Sequence, residues 1–200
     1  MNRTIFVFGL VCVLSLAFLG ACSEEATDAV TKASPQHSDK KMTLPPAGSD
    51  YEIVGIQEGL AGYTIKYDAK LYRGGQMTSA KGLEYLETLG VKTIVTITPT
   101  DVERKYVGEA GIKLVEVPFV KADGPSKETM DTFLDAVKTS TGPVYVHCHG
   151  GTHRAAILAA VYRMSVQGWD YNRTAVEYGT LGGDLKGDHG MLTRISQYGR

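Results

Sequence analysis

Cysteine is scarce in this 200-residue chain, which has only Cys12, Cys22 and Cys148. So few thiols exclude a fold stapled by several disulfides. An excess of charge is missing too: 21 Lys and Arg stand against 22 Asp and Glu, a formal net charge of −1. That balance lacks the basic surplus of a nucleic-acid binder. No internal repeat is present. Tryptophan occurs once, and Trp169 reads as a core anchor at a turn between two helices. The one long apolar run, Ile5 to Leu19, is short for a membrane span.

That run has the make-up of a signal-peptide core. Met1-Asn2-Arg3 forms a positive head, the run carries no charge, and Leu19-Gly20-Ala21-Cys22 ends it with small residues. Residues 1–21 are therefore expected to be a cleaved signal peptide. Leu-Gly-Ala-Cys resembles the bacterial lipoprotein cleavage box. The resemblance implies a lipidated Cys22, attachment to a membrane, and a bacterial envelope location with the domain in the periplasm. An ordinary secretory cut near Ala21, or an uncleaved anchor, is the alternative. Residues 22–50 are polar and small, run into Pro45-Pro46-Ala47-Gly48, and read as a flexible tether. With Cys12 discarded and Cys22 acylated, Cys148 is left alone in an oxidising compartment. A lone thiol there is an oxidation liability, and catalysis is the use that justifies it.

From about Tyr51 the pattern alternates. Short strands are expected at Tyr63–Lys66 and Lys70–Tyr72, and β-branched strands at Lys92–Ile97, Lys113–Val117 and Val144–Val146. Helices are expected at Ser79–Leu89, at Asp101–Ala110 with Asp101 as cap, after Ser126, from Ala155 to Val166, and at Asp170–Tyr178. Strands separated by helices predict an α/β domain over 51–178, with a central, mainly parallel sheet between helical layers. Residues 179–200 are rich in glycine and read as a loose extension.

Between the strand at Val144–Val146 and the helix that follows lies His147-Cys148-His149-Gly150-Gly151-Thr152-His153-Arg154. A cysteine at a strand's end, five residues, then an arginine at a helix start is a geometry for holding a tetrahedral oxyanion. Inward-turned N–H groups, the helix N-terminus and a planar guanidinium supply the donors. The same field favours the nucleophilic thiolate. Gly150 and Gly151 are expected to supply positive φ angles and close approach. Ligands of such sheets bind beyond the carboxyl ends of the strands, where Cys148 falls.

The spacing resembles the His-Cys-x-x-Gly-x-x-Arg signature of cysteine-dependent protein tyrosine and dual-specificity phosphatases, matched at His147, Cys148, Gly151 and Arg154. The element order from Tyr63 to Tyr178, with Leu71-Tyr72-Arg73-Gly74-Gly75-Gln76 as entry segment, is similar to the compact dual-specificity domain. Membership would imply phosphomonoester hydrolysis through a phosphocysteine, with Cys148 as nucleophile and Arg154 gripping the phosphoryl oxygens. His149, Gly150, Gly151, Thr152 and His153 would line the cradle. His147 would order the loop from behind, and Arg73 would brace it. Neither a metal nor a cofactor is implied. The family's acid is an aspartate on a mobile loop, the place that Asp123 occupies in Val120-Lys121-Ala122-Asp123-Gly124-Pro125; Glu128, Asp131 and Asp184 are its rivals. The implied partner is a phosphorylated small molecule, such as an inositol phosphate or phosphoanhydride, or a phosphoprotein. His149, His153 and Lys121 would make the pocket rim cationic below neutral pH.

One position departs from the pattern. Ala155 stands where the family commonly has Ser or Thr, which puts the second step in question unless Thr152 substitutes. The alternative is a catalytically weak pseudophosphatase that binds phosphorylated partners at the envelope. A rhodanese-type sulfurtransferase uses a tighter cysteine ring. A metal cage from His147, Cys148, His149 and His153 conflicts with the opposite facing of adjacent strand residues.

Overall fold

Alternation along one strand organises the domain. In Val144-Tyr145-Val146-His147-Cys148 successive side chains leave opposite faces of the sheet. Val144, Val146 and Cys148 enter one apolar cluster, and Tyr145 enters the other. Both faces are therefore covered, and the strand is buried along its whole length. The computed structural model describes residues 43–198. The signal peptide, Cys22 and the tether up to residue 42 lie outside them; residues 43–50 carry neither helix nor strand.

The strands are β1 (Glu52–Ile56), β2 (Tyr63–Lys66), β3 (Leu71–Gly75), β4 (Thr93–Thr96), β5 (Lys113–Glu116) and β6 (Val144–Cys148). They form one six-stranded sheet in the order β1-β2-β3-β6-β4-β5. β3, β6, β4 and β5 are parallel neighbours, while β1 and β2 add an antiparallel edge. The helices are α1 (Ala80–Thr88), α2 (Asp101–Glu109), α3 (Lys127–Thr139), α4 (Arg154–Ser165), α5 (Tyr171–Thr180) and α6 (His189–Ser196). The expected α/β class and flanked sheet are what is found.

α4 is the central helix. Every residue from Ala155 to Arg163 is buried, as befits a helix that is apolar on all sides. Its contacts run to β6, β3, α3, α5 and α6 on one face of the sheet. α1 and α2 supply Leu83, Leu86 and Val107 to the cluster on the other face. Caps set the entries: Ser126 accepts from the Thr129 N–H at 3.0 Å, and Asp170 from the Arg173 N–H at 2.9 Å. α2 is capped by Thr100, not by Asp101, because the Thr100 hydroxyl accepts the Glu103 N–H at 3.2 Å.

Three further expectations differ from the structure. β1 lies upstream of the first strand read from the sequence. Trp169 is half-buried rather than a core anchor, held between the guanidinium groups of Arg163 (4.2 Å) and Arg173 (3.6 Å). The segment after Gly179 is not loose: Leu181, Met191, Leu192 and Ile195 all enter the core, and Met191, Leu192 and Ile195 do so from α6.

Candidate active site

Cys148 ends β6 with 4% of its surface exposed, and Arg154 opens α4 six residues later. Cysteine and arginine thus flank a loop fixed at both ends by regular structure. Gly151 has φ +77°, and a Cβ there would lie 2.4 Å from the Gly74 carbonyl carbon and 2.7 Å from the Gly75 nitrogen. Only glycine meets both demands. Gly150 is different: it stands outside the positive-φ set, and a Cβ would meet nothing within 4 Å. The expectation that both glycines carry the turn therefore holds for Gly151 alone.

No backbone N–H from His149 to His153 finds a protein acceptor among the described residues. His153 occupies the N-cap of α4 without a side-chain capping bond. A run of unspent donors ahead of an uncapped helix N-terminus is a donor set suited to an anion. The Arg154 guanidinium donates through Nη1 to the Phe119 carbonyl at 3.3 Å. Thr152 turns its hydroxyl to the Gly150 carbonyl at 3.3 Å, and Ala155 is fully buried.

The loop rests on the end of β3. Gln76 N–H donates to the His149 carbonyl at 3.0 Å, and its side-chain oxygen lies 3.3 Å from His149 Nδ1. Tyr145 donates to the Gly75 carbonyl at 2.7 Å beneath. Gly74 and Gly75 leave no room for a side chain, since a Cβ would strike the Tyr145 hydroxyl or the Ala61 carbonyl. The backbone of Gly74-Gly75-Gln76 is the brace. The Arg73 side chain instead turns into the core, donating to the Leu181 carbonyl at 3.2 Å near the rings of Tyr63 and Tyr67.

His147 is fully buried on the opposite face from Cys148. Its Nε2 lies 2.5 Å from a Glu103 carboxylate that is itself 2% exposed, and its ring stacks on Tyr145. Opposite facing removes His147 from any metal cage with the loop. Glu103 was not legible as a site residue. Thr100-Asp101-Val102-Glu103 has the spacing of a capping box, which would turn the carboxylate back to the cap. Here the hydroxyl half of that box forms, while the carboxylate goes to His147.

The strip 118–126 lies against α6. Gly124, at φ +68°, comes so near α6 that a Cβ would sit 3.2 Å from Met191 Cα. Arg194 donates to the Asp123 carbonyl at 3.4 Å, and Lys121 pairs with Asp188 at 2.6 Å. Asp123 itself is exposed. Asp188 also accepts from His153 Nδ1 at 2.5 Å and from the Tyr178 hydroxyl. Burial would raise its carboxyl, but Lys121, Tyr178 and His153 outweigh that and hold it at about 2. Two of the three residues expected at the rim, Lys121 and His153, thus share one buried carboxylate. Asp188 was missed because Gly187-Asp188-His189-Gly190 has the composition of a turn.

The model of one family, described as DSP-PTPase phosphatase fused to NAD+ kinase, matches residues 53–187. The dual specificity protein phosphatase TpbA of Pseudomonas aeruginosa is 33% identical over 132 residues, covering 65% of this chain and 58% of that protein. A probable chloroplastic NAD kinase 2 of Oryza sativa subsp. japonica is 30% identical over 108 residues, 50% of this chain and 11% of the relative. The chain thus spans less than two thirds of either relative's length. Among solved structures, P. aeruginosa TpbA in complex with pTyr gives a TM-score of 0.56 at 26% identity, covering 67% of this chain and 83% of that one. The Siw14 catalytic core gives 0.56 at 21% identity, covering 74% and 88%, a likeness of fold.

Proposed function

Because the chain belongs to the DSP-PTPase family whose model it matches, we propose that it is a phosphatase acting through Cys148. The observation that carries this reading is the run of unspent N–H donors between Cys148 and Arg154, at an uncapped helix N-terminus. The Cys148 thiolate attacks phosphorus, the S–P bond forms, and the bond to the leaving oxygen breaks. Arg154 and the loop N–H groups hold the equatorial oxygens as charge spreads over them. Asp123 gives its proton to the leaving oxygen. Water then attacks the phosphocysteine, its proton passes to Asp123, and Cys148 departs as thiolate.

Asp123 is favoured over its rivals by what those rivals already hold. Asp131 takes Lys127 and the Tyr198 hydroxyl, which lower its carboxyl below the ordinary range. Asp184 is lowered by the backbone N–H groups of Gly187 and Lys186. Both carboxylates are already engaged as acceptors, whereas no side-chain hydrogen bond or ion pair holds the Asp123 carboxylate among the described residues. Glu128 sits in the first turn of α3, beyond the loop.

The substrate class proposed is a phosphomonoester of tyrosine or serine in protein, or an inositol phosphate or phosphoanhydride. TpbA is a dual specificity phosphatase crystallised with phosphotyrosine, which supports the first of these. We also propose export as a lipoprotein through Cys22, with the domain in the periplasm.

Assays on an aryl phosphate and an alkyl phosphate test the assignment. Cys148→Ser is expected to abolish turnover. Asp123→Asn is expected to cost on the order of 10²–10⁴-fold on the alkyl ester and much less on the aryl ester, whose leaving group needs little help. Ala155 supports one second reading, a pseudophosphatase. Wild-type protein that binds vanadate yet never releases phosphate would establish it and overturn the enzyme.

A further inference from the structure

Asp188 is a carboxylate with a fully buried side chain, and its partners come from four separate segments. Oδ1 pairs with Lys121 Nζ at 2.6 Å. Oδ2 accepts from His153 Nδ1 at 2.5 Å, from the Asp184 N–H at 3.1 Å, and from the buried Tyr178 hydroxyl. Lys121 lies two residues before Asp123, and His153 lies one before Arg154. One side chain therefore joins the strip carrying the proposed acid to the loop carrying the phosphate-binding arginine.

Stability alone gives little reason for such a group. Replacing a buried charge and its partners by well-packed apolar side chains of the same volume is often neutral or stabilising. What it does fix is relative position. A general acid must come within about 2.6–3.2 Å of the leaving oxygen. Asp123 is exposed, and no side-chain bond of its own holds it among the described residues, so its flanks decide where it stands. Those flanks are the Lys121–Asp188 pair, the Arg194 bond to its carbonyl, and Gly124 against Met191. His153 is oriented by the same carboxylate: with Nδ1 engaged, Nε2 is the nitrogen left for the 41%-exposed rim.

We propose that Asp188 is a positioning residue that pins the strip 120–125 to the phosphate loop and thereby sets the acid over the leaving group. The catalytic half of this inference rests on Asp123 being the acid. The pinning half does not.

Asp188→Asn removes the charge with little change of shape. Lys121→Met breaks the pair from its 45%-exposed end, where folding is not at stake, and Lys121→Arg should restore it. Hydrogen exchange reads the pinning at the Gly124 amide, which donates to the Val120 carbonyl at 3.1 Å. Exchange there is expected to rise about 10-fold or more in Asp188→Asn and Lys121→Met, with β6 unchanged and Lys121→Arg near wild type. Leaving-group dependence reads the chemistry. Both disrupted variants should lose about 10-fold or more on alkyl phosphates, little on aryl phosphates, and keep wild-type vanadate affinity.

Unaltered exchange at Gly124 in both variants would overturn the proposal. So would a loss that is equal on both ester classes and accompanied by weaker vanadate binding, which marks a general structural defect. If Asp123→Asn steepens the leaving-group dependence and Asp188→Asn does not, the positioning role fails while the acid stands. If neither steepens it, the acid assignment fails, and exchange alone decides whether Asp188 is a pin.

Discussion

Cys148, Gly151 and Arg154 were legible in the sequence because one short loop holds them all, and local spacing is what a sequence displays. Glu103 and Asp188 were not, since each reaches the site through folding from far along the chain. Glu103 lies 44 residues from His147, and Asp188 lies 35 from His153. Each also wore a local disguise, a capping box in one case and a glycine-flanked turn in the other. Asp188 makes a measurable contribution of its own. Its folded carboxyl sits at about 2, below the unfolded value of about 3.9. The folded state therefore binds fewer protons between those limits. The stabilisation is complete above about pH 4 and is lost as pH falls through about 2. Denaturant melts from pH 5 to 2 should show a steeper loss in wild type than in Asp188→Asn. Parallel slopes would contradict the assignment.

At the scale of elements, strands and helices with strong periodicity were read within a residue or two, except β3, expected at Lys70–Tyr72 and found to run on to Gly75. The edge strand β1 and helix α6 were not. Glu52-Ile53-Val54-Gly55-Ile56 is interrupted by a glycine at φ +102° and a shift of register, so the strand signal is broken there. In α6 the apolar residues Met191, Leu192 and Ile195 do fall on one face, but only eight residues carry them, after a glycine-rich stretch. That stretch is where sequence reasoning cost most, because α6 is the shelf for the strip carrying Asp123. Ile195 is fully buried. Ile195→Ala should cost about 2–5 kcal/mol by denaturant unfolding, through lost burial and the cavity left behind. A cost below about 0.5 kcal/mol would mean that α6 is not packed as described.

At the scale of the whole molecule, the layered architecture followed from alternation of periods along the chain, and the formal net charge of −1 pointed to no class of partner. No helix among the described residues is long and apolar enough to cross a membrane. In the proposed lipoprotein it is Cys22 that carries the membrane attachment. Full-length protein expressed in a bacterium should take up radiolabelled palmitate and sediment with membranes. Cys22→Ser should take up no label and lose that anchoring. Equal labelling and sedimentation of both would refute the anchor.

Cys148 Sγ is the atom proposed to receive the phosphoryl group. Rapid acid quench of the wild-type domain during turnover of an aryl phosphate, followed by peptide mass spectrometry, reads that atom directly. The account predicts a transient phosphate adduct on the peptide containing Cys148, formed as fast as the first turnover and absent from Cys148→Ser. Phosphate release with no adduct on that peptide, or with the adduct on another residue, would contradict it.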